Sequence, residues 1–364
     1  MKLLVAMIPM PCNRFLADLN GELSKHCEIT HSSEIFWKME GSFDIVHIHF
    51  PEYITFEVED AYRKEVTDNL IHEAEKRLKF WAEKARIVIT RHNILPHDIV
   101  GASLWEKMYE TVYRYADGVV HFGKLSIKEF RKRYRDLYFY RGHEPRHVII
   151  PHQNYASLPN DIGCKEARYK LGISQEAEVV LVFGGIRNDD ERKLILDTFR
   201  GIRSKKKVLL VSNWREKLAK VSWIRLKYWL RDLARLYYRL HPHYCFNYGF
   251  VEEKEAQTYF NAADILFIPR FYVLNSGNIT CGMTFGKVVV GPDSWDVGEI
   301  LKAMGNPVFD PDRPETAVKA VEEALQLSKS SLGEKNREIA LREWSVERCA
   351  SKYLGLFKTL VFEK

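Results

Sequence analysis

Twelve short runs rich in valine, isoleucine and leucine, separated by longer segments with apolar residues at helical spacing, leave this chain few folds to choose from. In the first half the runs fall at 2–8, 28–30, 44–49, 87–90, 118–122 and 147–150. In the second they fall at 179–183, 208–211, 246–248, 265–268, 288–291 and 307–309. Near-continuous apolar strands alternating with helical patterns, such as 56–85 and 103–116, specify an α/β fold: parallel sheets covered by helices on both faces.

A chain of 364 residues exceeds what one hydrophobic core usually serves. Periodicity lapses at 151–174, a polar stretch containing Pro151, Pro159, Gly163 and Gly172. The expected organisation is therefore a doubly wound domain over 1–155, a linker at 156–176, a second doubly wound domain over 177–344 and an amphipathic helix over 345–364. Two such domains in one chain put a cleft between them. No internal repeat or low-complexity tract is present.

Several function classes are excluded by composition and patterning. No segment reaches the roughly 18 consecutive apolar residues of a membrane span. The opening MKLLVAMIPMPC reads as a first buried strand, because it has no small-residue cleavage site of a signal peptide. Six scattered cysteines (Cys12, Cys27, Cys164, Cys245, Cys281 and Cys349) form no CxxC pair, which fits a reducing, cytoplasmic setting without structural zinc. Net charge is +6, and residues 214–243, beginning at Trp214, alone carry eight Lys or Arg against Glu216 and Asp232. Trp223, Tyr228, Trp229, Tyr237 and Tyr238 interleave with those cations. That composition suits either a helix lying on anionic lipid or a solvated helix whose aromatics pack on the sheet. A second basic stretch, 128–146, has seven cations against Glu129, Asp136 and Glu144.

Four motifs bear on chemistry. Phe183-Gly184-Gly185-Ile186-Arg187 follows a strand and precedes the helical pattern 193–200. Glycines there let backbone amides approach a phosphate and the arginine clamp it, although a tight turn with a surface arginine has the same pattern. Asn275-Ser276-Gly277-Asn278 opens a helix after the strand 265–268, as an anion site or simply as an N-cap. Glu299, in Gly298-Glu299-Ile300, is placed either to hold ribose hydroxyls or to sit exposed at a helix start. Arg91-His92-Asn93-Ile94-Leu95-Pro96-His97-Asp98 ends the strand 87–90, where a histidine can orient a hydroxyl or take its proton. A metal reading is not favoured. His47 and His49 share a strand face without a carboxylate at ligand spacing, and Asp310-Pro311-Asp312 is first of all a turn.

In order and spacing these pieces resemble GT-B glycosyltransferases of the glycosyl transferase group 1 type, particularly bacterial enzymes of surface-polysaccharide assembly. Asp44-Ile-Val-His-Ile-His-Phe-Pro-Glu52 looks like that group's D-I-V-H-x-H-W-P-E strand and turn, and Ile89 to Asp98 looks like its T-V-H-N-x-x-P-H-E signature. Gly185-Ile186-Arg187 matches G-x-I-R. Ala263-Asp264-Ile-Leu-Phe-Ile-Pro269, Ser276-Gly277 and Phe285-Gly-Lys-Val-Val-Val-Gly-Pro292 match later passages, so the likeness runs the length of the chain.

The resemblance implies two Rossmann-like domains facing a cleft, with the last helix crossing back to the N-terminal domain. It implies a nucleotide-sugar donor in the second domain. Gly184, Gly185, Arg187 and the Ser276-Gly277-Asn278 turn would hold the diphosphate, Glu299 the ribose, and the backbone near Phe250 and Val251 the base. His92 and Asn93 would face the transferred sugar, with His92 or Asp98 as the base if the reaction inverts. The acceptor would be a saccharide or lipid-linked saccharide in capsule, exopolysaccharide or lipopolysaccharide synthesis. No cofactor, no metal and no nucleic acid are expected, and contact with the inner face of the plasma membrane through 214–243 would follow from a lipid-linked acceptor. Two departures stand out. Asp190 and Glu191 occupy the place where relatives carry a lysine and a glycine, so the second cation is expected from Arg192 or Lys193, or is absent. Leu274 and Cys281 replace the superfamily's paired glutamates, so neither the donor sugar nor the stereochemical outcome is fixed. A sugar-nucleotide 2-epimerase of the same fold and a polyanion-binding module are the alternatives.

Overall fold

The alternation resolves into two parallel sheets of six strands each. A computed structural model of the protein describes residues 1–10, 13–63, 65–96, 101–214 and 233–362. His97 and Asp98, and residues 215–232 of the basic segment, lie outside the described residues. By contacts the chain divides into one unit of Met1–Gln153 with Trp344–Lys364 and another of Asn154–Glu343.

The first unit comprises β1 (Lys2–Val5), β2 (Glu28–His31), β3 (Ile45–Ile48), β4 (Arg86–Thr90), β5 (Gly118–His121) and β6 (Arg146–Ile149), in the order β2-β1-β3-β4-β5-β6. Alternate strand residues feed two cores, as the two-residue side-chain period requires. Leu4, Val46, Ile48, Ile87, Ile89 and Val119 face one layer of helices. Leu3, Val5, Ile45, Val88 and Val120 face the other, which includes the C-terminal helix Val346–Phe362. That helix buries Cys349, Ala350, Tyr353, Leu354, Leu356 and Phe357, a stripe at three- and four-residue spacing, and so belongs to the first unit.

The second unit comprises β7 (Glu178–Val182), β8 (Lys207–Val211), β9 (Tyr244–Phe246), β10 (Ile265–Phe267), β11 (Val288–Pro292) and β12 (Val308–Phe309). Their order is β12-β11-β10-β7-β8-β9, so the direction of winding reverses between β7 and β10. In open parallel sheets the crevice at the carboxyl ends of two such strands is where ligands sit.

Each unit locks its sheet with an Ala-Asp pair before a central strand. Asp117 accepts the Ile87 amide (2.8 Å) and pairs with Arg86 and Arg141. Asp264 accepts the Val179 amide (2.7 Å), and both its oxygens accept from Arg168 Nη2 at 3.0 Å.

Several expected boundaries shift, the first strand ending at Val5 rather than at residue 8, and three of the shifts have a local reason. The expected helix 56–85 is two helices, Phe56–Arg63 and Asp68–Lys84, because Thr67 is extended (φ −111°) and its hydroxyl caps Leu70 N. The expected helix 193–200 begins earlier, at Asp189, where Asn188 caps it. Strand β9 lies two residues ahead of its expected position, because Asn247 turns its amide onto the Ser212 and Gly249 carbonyls and ends the strand.

Candidate donor and acceptor sites

In the second unit the turn after β7 and a helix start are joined directly. Gly184 has φ +92°, a left-handed conformation that a side chain would strain, and its amide donates to Ser212 Oγ (2.9 Å). Asn278, in the first turn of the helix Gly277–Thr284, donates Nδ2 to Phe183 O at 2.8 Å. That bond puts the Gly184-Gly185 turn beside the helix start, where Ser276 is extended and makes no capping bond with its side chain. The first amides of a helix have no intrahelical acceptor, so this corner concentrates N–H groups and the positive end of a helix. Gly184, Gly185, Ser276, Gly277 and Asn278 are thus gathered at the exits of neighbouring elements.

Arg187 is exposed on the same turn, and its amide donates to Glu191 Oε2 (2.8 Å). Asn188 Oδ1 accepts from Glu191 N (2.9 Å) and so caps the helix Asp189–Gly201, while the Glu191 side chain reaches one residue past that cap to Arg187. The two cations expected to complete a clamp are engaged elsewhere. Arg192 pairs with Asp189 and lies over the Trp214 ring (5.7 Å), and Lys193 points outward to Asp197 (2.6 Å). A residue the sequence reading overlooked is there instead: Arg270, three residues past β10, donates Nη2 to Gly185 O (2.7 Å) and pairs with Glu191 through Nη1. Only its position after a strand and a proline marked it in the sequence.

Glu299 is half-buried on the helix Trp295–Ala303. The preceding Gly298 has no room for a side chain, since a Cβ there would lie 2.4 Å from Asp293 Oδ1 and 2.8 Å from Asp293 Cα. Phe250 is 76% exposed and Val251 half-buried just before the helix Glu253–Ala262. Their strand exit connects to the glycine turn through Asn247, which donates to Ser212 O (2.9 Å), and through Ser212 Oγ, which holds Gly184. Asp310 and Asp312 serve a turn: Asp310 accepts from Asp312 N (2.9 Å) and Arg313 Nε (2.8 Å).

In the first unit His92 leaves β4 between aromatic rings. It stacks on Phe50 (4.2 Å between centroids, 24° between planes), meets Phe15 edge-on and Phe122 at a tilt, and its Nε2 lies 3.3 Å from His49 Nδ1. Its neighbour Asn93 is half-buried. Arg91, wholly buried, anchors the exit: Nη1 donates to Ser126 O (2.8 Å), and Nη2 pairs with Glu129. His47 and His49 do share a face, with ring centroids 4.0 Å apart, and His47 Nε2 lies 2.8 Å from Thr90 Oγ1.

Burial governs the charge of this cluster. It pushes His47 down to about 3 and His152 to about 4, and with neighbouring histidines it holds His49 and His92 well below the usual imidazole range. Burial also raises the Glu52 carboxyl to about 7 although the Tyr109 hydroxyl donates to it at 2.7 Å. Among the described residues, no group of three or more His, Cys, Asp or Glu is placed to hold a metal ion.

No family model matches the chain, and no curated protein matches it by sequence. Solved structures do match it. Sucrose-phosphate synthase from Thermosynechococcus elongatus superposes over 100% of this chain and 99% of its own, with a TM-score of 0.67 at 13% identity. HepE of Anabaena, solved with UDP-glucose, matches over 99% and 100% with a TM-score of 0.66 at 12% identity. A glycosyltransferase from Rickettsia africae matches over 100% and 99% with a TM-score of 0.62 at 12% identity. The chain therefore has the GT-B fold, two parallel α/β units with the last helix returned to the first.

Proposed function

We propose that this GT-B chain is a glycosyltransferase that takes its sugar from a nucleotide-sugar bound in the second unit. The observation that carries this reading is the corner at the winding reversal, where Asn278 ties a helix start to the Gly184-Gly185 turn under Arg187. Such a corner suits a diphosphate, and similar structures hold UDP and UDP-glucose. Catalysis is chiefly charge stabilisation: Arg187 and the helix-start amides take up the negative charge that develops on the leaving diphosphate. Glu299 holds the ribose, and the backbone near Phe250 and Val251 the base. No metal takes part in this reading.

On the acceptor side His92 and Asn93 orient hydroxyls. A ring with its pKa held well below 6.5 is neutral at physiological pH and a weak base, so positioning suits His92 better than proton removal. The acceptor is a saccharide or lipid-linked saccharide of surface-polysaccharide synthesis, met at the cytoplasmic face of the membrane. Residues 233–240 are helical and expose Leu233, Leu236, Tyr237 and Leu240, one stripe at helical spacing beside exposed Arg239. An anionic lipid surface complements that stripe and its charge.

The first test is a thermal-shift screen against nucleoside diphosphates and nucleotide-sugars, in which a bound donor raises the melting temperature. Arg187→Ala should weaken binding of the best nucleotide about tenfold or more, the scale of a lost charge-assisted hydrogen bond. Full affinity and turnover in that variant would remove the clamp. Release of free nucleotide only with an acceptor present supports transfer, whereas an epimerised sugar without acceptor would make the chain an epimerase. Co-sedimentation with phosphatidylglycerol vesicles at low salt, lost in Leu236→Glu/Leu240→Glu, checks the membrane contact.

A further inference from the structure

Two arginines reach the Gly184-Gly185 turn from different strands, and one carboxylate holds both. Glu191 is only 3% exposed. Its Oε2 accepts the Arg187 amide at 2.8 Å and also pairs with Arg270 Nη1. Arg270 is nearly as enclosed, its side chain 13% exposed, and its Nη2 donates to Gly185 O at 2.7 Å. It follows β10, while the turn follows β7, so the pair spans the winding reversal of the sheet.

We infer that Arg270 is the second cation for the bound diphosphate, and that Glu191 is a positioning residue that aims Arg270 and shapes the turn bearing Arg187. This rests on the donor-site reading above. A carboxylate at a helix start beside a diphosphate is unfavourable by itself, because both are anions. Here Arg270 neutralises Glu191 and Arg192 pairs with Asp189, which leaves the Arg187 guanidinium as a cation on the turn. A guanidinium has five donors in one plane, enough to serve a carboxylate, a carbonyl and a phosphate oxygen at once. An ammonium on a flexible stem has no such fixed geometry. The cation has thus moved from the helix to the end of the next strand, and the carboxylate fixes its orientation.

Charge and positioning predict opposite results for Glu191→Gln. If Glu191 acts only through its charge, removing it beside a diphosphate site tightens binding. If it aims Arg270, binding weakens. Titration calorimetry with UDP, ADP and GDP on the full chain should show the best of these binding about tenfold more weakly to Glu191→Gln and to Arg270→Ala. Arg270→Lys should recover only part of the loss. Because Arg270→Ala leaves Glu191 buried without its partner, Arg270→Ala/Glu191→Gln is the folding-safe companion. It should melt near the wild type without nucleotide, bind as weakly as Arg270→Ala, and so show that the two losses are not additive. Tighter binding by Glu191→Gln, or wild-type binding by the double variant, overturns the assignment. If Arg187→Ala weakens binding and Arg270→Ala does not, only this inference fails. If neither does, the donor site itself is misplaced and the inference fails with it.

Discussion

Glu52 shows how much one side chain can depend on its surroundings. In the sequence it closes Asp44-Ile-Val-His-Ile-His-Phe-Pro-Glu52 and looks like a turn residue. In the structure it is 4% exposed and receives the Tyr109 hydroxyl. Burial raises its carboxyl from the ordinary 4.5 to about 7. Between those values the folded chain binds a proton that the unfolded chain has released, so this group favours folding most below pH 4.5 and loses that contribution as pH rises to 7. Glu52→Gln should therefore stabilise the protein by on the order of 3 kcal/mol at pH 8 and hardly change it at pH 4. Denaturant melts at the two pH values check this, and an equal effect at both would refute it. The polarity of Glu52 was legible in the sequence, but its charge state needed the third dimension.

Among elements, the paired Ala-Asp anchors have the plainest energetics. Arg168 is 5% exposed and makes two bonds to Asp264, which also holds the Val179 amide of β7. Asp264→Ala should cost on the order of 2 kcal/mol, less than a fully enclosed pair because Asp264 is partly exposed. Arg168→Met/Asp264→Ala should recover much of that loss, as no buried charge is left alone. Urea unfolding of both variants measures it, and equal instability would mean that the amide bond, not the ion pair, matters. The twelve strands were legible because parallel strands buried on both faces read as apolar runs. Helix ends were less so: Thr67 and Asn188 both carry the usual cap chemistry, but nothing in a linear pattern says which polar residue will turn extended.

For the whole molecule, acid should be the sharper stress. His47, His49, His92 and His152 lie in the first unit, as does His121, which burial pushes down to about 2. Each is neutral when folded and has an ordinary pKa of 6.5 when unfolded. Their contribution is thus complete above pH 6.5 and falls as pH drops, by up to about 1.4 kcal/mol per unit for each ring. Stability should be flat from pH 8 to 6.5 and fall steeply below, more steeply in Glu52→Gln, whose carboxyl no longer opposes the trend. Melting curves from pH 8 to 4.5 test this, and a flat profile would mean the rings are hydrated when folded.

What the sequence determined by itself was the alternation of strand and helix, the two sheets, and the glycine and serine turns at strand ends, since local propensity and apolar period depend on near neighbours. What only the tertiary structure decided was which distant groups share a corner. Arg270 and Glu191 are 79 residues apart and no spacing rule links them. They meet because the winding of the second sheet reverses between β7 and β10, which brings the two strand exits together. The same is true of the histidines, whose suppressed charge comes from packing against aromatic rings contributed by separate strands and loops.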